Sequence, residues 1–212
     1  MTAARPPAAP RPAPPRRVRI IGGSWRRTPL AVLDLPGLRP TPDRVRETVF
    51  NWLGQDLSGL VCADLFAGSG ALGLEAASRG AARVHLAETH PAARRALQSV
   101  IERLQAAPRV LLHAGEAATL IARLRERGER LDLAFVDPPF RQAMLEAVMP
   151  ALSQVLAPHA RVHVETEAPL DESRVRAWLG PGARVMRQAR AGQVHYHLLA
   201  LEPAPQGAQE TP

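Results

Sequence analysis

The chain has 212 residues, a formal net charge of +7 and 46% hydrophobic residues, and all 27 of its basic side chains are arginine. That length supports one sizeable core with extensions rather than a string of domains. No apolar stretch approaches a membrane span, the N-terminus offers prolines and arginines where a signal peptide needs an apolar segment, and the single cysteine, Cys62, has no disulfide partner, so a cytoplasmic protein is expected.

Residues 1–57 carry ten arginines against four acids, a net of +6, which leaves +1 for the rest. A polyanion docking on this front end accounts for the asymmetry, and so does a solvated tail. Residues 1–16 are almost entirely Pro, Ala and Arg and bury too little apolar surface to offset their ordering entropy, so disorder is expected there and in the tail 203–212. Val18-Arg19-Ile20-Ile21 and Leu30-Ala31-Val32-Leu33 predict two short strands around a glycine-containing connection, with Trp25, Arg26 and Arg27 at its tip. An aromatic beside two arginines suits RNA, with packing of Trp25 onto the main body as the alternative. Residues 36–42 form a turn-rich connector containing Arg39, and Thr41 or Asp43 caps a helix over 43–53 whose Arg44 and Arg46 flank the apolar side.

Val61 to Glu75 predicts a strand, a glycine turn and a helix, with Gly68, Gly70 and Gly73 in G-x-G-x-x-G spacing. Such a turn admits a nucleotide-like ligand at a helix N-terminus, and it also serves close helix packing. Cys62, inside the apolar run, reads as a small core residue. Strands then alternate with helices: strands over 83–88, 109–113, 131–136 and 160–165, helices over 72–79, 91–104, 117–127, 142–156 and 173–179, and two closing strands over 184–188 and 194–201. The alternation argues for an α/β fold with a mostly parallel sheet, and the closing pair permits an antiparallel edge.

In such a sheet, ligands lie beyond the C-terminal strand ends, where strand order reverses. Glu88 ends the second strand of the α/β region eighteen residues past Gly70, placed to accept hydrogen bonds from ribose hydroxyls. Those features fit NAD and S-adenosylmethionine equally. Asp137-Pro138-Pro139-Phe140 separates the two. The paired prolines remove N–H donors and leave the Asp137 carboxylate and the Pro138 carbonyl as acceptors for an amine, while Phe140 offers a face for a planar base. His159/His163 and His195/His197 have ligand-like spacing without a third partner, so no metal role is read and they count as ordinary surface or strand histidines.

Asp64-Leu65-Phe66-Ala67-Gly68-Ser69-Gly70 with Asp137-Pro138-Pro139-Phe140 resembles class I S-adenosylmethionine-dependent methyltransferases acting on amino groups. Arg19 to Gly23, Gly37 to Thr41, Asp43 to Thr48, Phe50 to Leu53 and Gly192-Gln193-Val194 are similar to the RsmD-type family of bacterial 16S rRNA guanine-N2 methyltransferases, over about residues 17–201. The resemblance implies a Rossmann-like class I fold: a mostly parallel seven-stranded sheet, helices on both faces, an antiparallel C-terminal edge, and an N-terminal β-hairpin over a basic 17–57 segment ahead of a 58–202 core. It implies S-adenosylmethionine as methyl donor and small-subunit rRNA or the 30S subunit as partner of a monomer. Asp137, Pro138, Pro139 and Phe140 become the catalytic set. Asp64, Phe66, Ala67, Gly68, Ser69, Gly70, Glu88, Glu116 and Ala117 become the cofactor set, with Thr41 and Arg46 at the methionine carboxylate end or on substrate phosphate. Trp25, Arg26, Arg27, Arg39 and Arg44 become RNA contacts. Glu116 stands where the family commonly has Asp or Asn, and the Pro/Arg tail is an extension to it. Adenine-N6 methylation of DNA, an NAD-dependent oxidoreductase and an RNA-binding factor without chemistry are the competing functions.

Overall fold

The computed structural model describes residues 17–33, 42–139 and 142–202. Thr41, Arg39, Phe140 and the tails at 1–16 and 203–212 lie outside the described residues. The elements in chain order are β1 (Arg17–Arg19), β2 (Pro29–Ala31), α1 (Asp43–Leu53), β3 (Val61–Asp64), α2 (Gly73–Ser78), β4 (Arg83–Glu88), α3 (Pro91–Arg103), β5 (Val110–Ala114), α4 (Ala117–Glu126), β6 (Leu131–Val136), α5 (Gln142–Ser153), β7 (Leu156–Thr166), α6 (Glu172–Leu179), β8 (Ala183–Ala191) and β9 (Val194–Leu201). None of these helices is long and apolar enough to cross a membrane.

Strands β3 to β9 form one sheet in the order β5-β4-β3-β6-β7-β9-β8. Its first five strands are parallel, and β9 runs antiparallel between β7 and β8. The central strands are near-continuous apolar runs because both faces are covered: β6 exposes only part of Asp132, and β4 only Arg83. On one face Cys62, Leu133, Phe135 and Leu198 pack with α1, α2, α3 and the hairpin β1–β2. On the other, Ala63, Ala134, Val162 and Val164 pack with α4, α5 and α6. Burial pushes the Cys62 thiol up to about 12, with Asp132 adding to the effect, which fits an inert core residue. Chain order reverses between β3 and β6, so the crevice above their C-terminal ends is the expected ligand position for this architecture.

Local chemistry explains most boundaries. His90 caps α3 by accepting from Ala92 N at 3.2 Å ahead of Pro91, and Asp171 caps α6 by accepting from Arg174 N at 2.8 Å. One cap and several boundaries differ from the sequence reading. Helix α1 starts after Pro42 with no side-chain cap, and Asp43 instead accepts from Arg46 Nη2 at 2.7 Å. Helix α5 stops at Ser153 and β7 begins at Leu156, since Leu131 N donates to Val155 O at 2.8 Å and draws that segment into the sheet. The register then jumps, from Leu131↔Leu156 to Leu133↔Arg161, across the stretch holding Pro158, which has no N–H for the ladder. Strand β1 ends early because Ile21 N and Gly22 N donate to the Glu75 carboxylate at 2.6 and 2.7 Å.

Glu75, fully buried on α2, is the anchor of the N-terminal segment. It also accepts from Arg79 Nε at 2.8 Å and lies 3.5 Å from Arg46 Nη1, while Arg46 Nη2 donates to Arg19 O at 2.8 Å. One turn on, Ser78 Oγ donates to Gly22 O at 2.6 Å and accepts from Trp25 N at 2.9 Å. Gly23 approaches so closely that a Cβ there would sit 1.9 Å from Ser78 O. Hairpin, α1 and α2 therefore interlock through one buried carboxylate. Glu75→Ala leaves Arg79 Nε, Ile21 N and Gly22 N without their acceptor and removes the charge beside Arg46 Nη1. It should cost about 3–5 kcal/mol in urea unfolding and open Arg46, fully buried in the native chain, to trypsin.

Candidate active site

The glycine turn joins β3 to α2, and each of its parts has a distinct task. Asp64 Oδ2 accepts from Gly73 N at 3.0 Å, so the strand's last residue supplies the acceptor that the first turn of α2 needs. Gly73 itself serves packing: a Cβ there would lie 2.3 Å from Leu86 Cδ2 on β4. Gly68 and Gly70 lie at φ 52° and 76°, and Gly70 N donates to Ala67 O at 2.6 Å. Gly68 N donates to Glu88 Oε2 at 2.8 Å. Of the two possibilities read from the glycine spacing, close packing holds at Gly73 and also at Gly70, where a Cβ would lie 2.6 Å from Leu97 Cδ2.

Glu88 gathers the neighbouring loops. Its Oε1 accepts from His90 N at 2.7 Å, and its carbonyl accepts from Gly115 N at 3.1 Å. A carboxylate has about four lone-pair positions, and the backbone takes one on each oxygen. The others remain for a diol, which is the fit a ribose requires. Ala67 is buried and bonded from its N to Ala87 O at 2.9 Å, while Phe66 and Ser69 are half-buried along the turn. After β5, Glu116 is exposed at the N-cap of α4 without a side-chain cap bond, and Ala117 beneath it is buried. Burial pushes Asp64 up to about 6 and nearby Glu88 raises it further, against the Gly73 and Phe66 N–H groups and His163, which lower it.

The second half of the site begins where β6 ends. Asp64 pairs with Phe135, and Leu65 N donates to Phe135 O at 3.0 Å, which locks the two strand ends together. Asp137, half-buried, follows two residues later, then buried Pro138 and exposed Pro139. The Asp137-Pro138 acceptors therefore stand beside the glycine turn, on the adjacent strand.

Other expected residues fall elsewhere. Arg46 is fully buried in the Asp43, Glu75 and Arg19 cluster, so its guanidinium ties α1 to α2 and the hairpin; Arg44 is exposed one residue before Val45. Trp25 packs on the core with the Arg109 guanidinium 5.9 Å from its ring centre. Arg109 precedes β5 and Arg103, at the end of α3, bonds Pro29 O at 2.9 Å, so the hairpin tip with exposed Arg26 and Arg27 lies at the N-terminal edge of the sheet. The glycine turn lies at the opposite edge.

The sequence reading missed two residues of β7. His163, expected as an ordinary histidine, is fully buried, and Glu165 is 8% exposed. His163 Nε2 is 3.6 Å from Glu165 Oε1. The signal was the alternation of His163 and Glu165 with Val162 and Val164, which in a strand covered on both faces buries the polar residues too.

The family described as Conserved hypothetical protein 95 matches residues 18–200. Ribosomal RNA small subunit methyltransferase D of Escherichia coli K12 is 42% identical, covering 88% of this chain and 91% of that protein. The Haemophilus influenzae protein of the same name is 38% identical, covering 71% and 79%. Among solved structures, yhhF of Escherichia coli superposes with a TM-score of 0.75 at 39% identity, over 89% of this chain and all of that one. A structure complexed with S-adenosylhomocysteine, 14% identical, shares the fold with a TM-score of 0.62 over 78% of this chain and 50% of its own.

Because Asp64 titrates near 6 when folded and near its ordinary 3.8 when unfolded, the folded chain binds this proton more tightly. The group's stabilising contribution is fully present below about pH 4 and is lost as pH rises through 6, at about 1.4 kcal/mol per pH unit. Asp64→Asn keeps an acceptor for Gly73 N and should remove about 3 kcal/mol of that pH dependence, measured by urea unfolding between pH 4 and 7.

Proposed function

We infer the activity from family and site together: this chain belongs to the ribosomal RNA small subunit methyltransferase D family, the one described as Conserved hypothetical protein 95. It is an S-adenosylmethionine-dependent methyltransferase of ribosomal RNA. The substrate atom is the exocyclic N2 of a guanine in small-subunit rRNA. What carries this reading is the pair of acceptors at Asp137 and Pro138, set beside a ribose-compatible carboxylate and a glycine turn on adjoining strand ends.

The bound cofactor supplies an electrophilic methyl group on a sulfonium. The chain's own residues do the rest. Glu88 accepts the ribose hydroxyls, Gly68 and Gly70 keep the backbone close, Asp64 faces the methionine ammonium directly or through water, and Glu116 with Ala117 borders the adenine. An ammonium next to Asp64 favours its charged form, which offsets the burial that raises it. Asp137 and the Pro138 carbonyl accept the two N–H bonds of the guanine amine, which aims the nitrogen's lone pair at the methyl carbon for in-line displacement. Asp137 then takes the proton released from nitrogen as the new N–C bond forms. Phe140 stacks on the base, worth about 1–3 kcal/mol. Basic residues from the front end meet phosphate. Arg44 belongs with the cofactor-side surface because α1 begins there, whereas Trp25, Arg26 and Arg27 would reach only RNA that wraps to the far edge of the sheet.

Two measurements test this. Labelled S-adenosylmethionine incubated with small subunits, naked 16S rRNA and DNA should leave label on guanine N2 of the small-subunit RNA; label on DNA adenine, or on nothing, rejects the assignment. Asp137→Ala should lower turnover by on the order of 10²–10⁴ while S-adenosylhomocysteine binds in calorimetry as it does to the wild type. Unchanged turnover would remove Asp137 from the chemistry.

A further inference from the structure

Asp137 and Pro138 can receive an exocyclic amine from guanine, adenine or cytosine, because each base offers two N–H bonds there. Selecting guanine needs a group that reads the neighbouring ring nitrogen. Guanine N1 carries a hydrogen and donates, whereas adenine N1 and cytosine N3 are acceptors. A carboxyl placed next to the amine pocket makes that distinction, since it bonds the first and repels the others.

Glu165 occupies such a place. Strands β6 and β7 run parallel with Phe135↔His163 and Val136↔Val164 in register, so Asp137 and Glu165 follow at adjacent positions on neighbouring strands, which lie about 4.8 Å apart. His163 borders the Phe135 ring at 6.2 Å, and Glu165 pairs across β7–β9 with Tyr196. Tyr196 is buried and stacks on Trp52 of α1 at 5.3 Å, which walls the far side. Glu165 thus stands on the α1 face of the sheet, at the C-terminal end, beside the amine acceptors.

Its hydrogen bonding is incomplete. Among the described residues, Glu165 Oε1 has no hydrogen-bond partner although Glu165 is 8% exposed, and neither nitrogen of the fully buried His163 has one. The His163 ring lies 3.6 Å from that oxygen, outside hydrogen-bond range, and supports the carboxyl from below. Oε1 is thus turned inward against the buried His163, which leaves the other carboxylate oxygen as the one a ligand N–H would meet.

We propose that Glu165 is the specificity residue of the acceptor pocket, taking the N1–H of the target guanine while Asp137 and Pro138 hold its amine, with His163 as a positioning residue. This rests on the guanine-N2 reading above. The test uses 2-aminopurine, which keeps the 2-amino group and turns N1 into an acceptor. Small subunits, or naked 16S rRNA if that is what the wild type modifies, are assembled with guanine or 2-aminopurine at the mapped target nucleotide. The wild type should prefer guanine by on the order of 100-fold or more in single-turnover methylation. Glu165→Gln, nearly the same size and able to donate to an N1 acceptor, should collapse that preference to within about tenfold or reverse it, while binding S-adenosylhomocysteine as the wild type does. If turnover of the variant is too slow to read, competition between the two RNAs for binding in the presence of S-adenosylhomocysteine gives the same ratio. A variant that keeps the wild-type preference, at whatever rate, overturns the proposal, because a purely structural glutamate would slow both substrates alike. A wild type that methylates no guanine overturns the guanine-N2 reading itself, a separate result.

Discussion

Glu75 is the group on which the assembly of this chain depends. A carboxylate placed fully inside a protein is costly unless donors surround it, and here two backbone N–H groups and the Arg79 guanidinium bond it, with Arg46 close by. Those donors come from the hairpin, α1 and α2. The consequence is positional: α1 is held against the sheet face that carries Asp64, Phe135 and Glu165, and its N-terminus is held toward the strand ends where the site lies. Without that clamp the acceptor pocket would lose one wall, since Trp52 and Phe50 reach Tyr196 and Phe135 only from a docked α1.

The same device recurs in the site at smaller scale. Asp64 accepts the N–H of Gly73, and Glu88 those of Gly68 and His90. In each case a carboxylate on one element satisfies backbone donors that a turn leaves open on another, so the loops above β3, β4 and β5 are set by hydrogen bonds rather than by side-chain bulk. Preorganisation of this kind suits methyl transfer. The reaction asks for alignment of nitrogen, methyl carbon and sulfur, and a turn fixed by its own backbone needs little rearrangement when ligands arrive.

Polarity divides the crevice between the strands. The glycine-turn side carries the carboxylates of Asp64 and Glu88, and the Asp137 side is acceptor-rich because Pro138 and Pro139 carry no N–H. The front-end basicity belongs to a third surface. Its arginines do not act as one patch: Arg46 is internal, Arg19 lies near Asp43, and Arg26 and Arg27 project from the sheet edge opposite the glycine turn.

The sequence by itself determined the α/β class, the alternation of elements and the places of the glycine turn and the Asp-Pro-Pro turn at strand ends, because period, glycine spacing and proline runs are local properties of the chain. Most strand and helix limits were legible to within a few residues for the same reason. Tertiary structure alone decided that Arg46 is an internal strut, that Trp25 faces away from the site, and that β7 begins before Pro158, since each depends on partners distant in sequence: Glu75, Arg109 and Leu131. It alone also decided that His163 and Glu165 are buried beside Asp137. Their alternation with valines marked a strand, but which face met α1, and which neighbour stood across the ladder, followed only from the order in which the strands assembled.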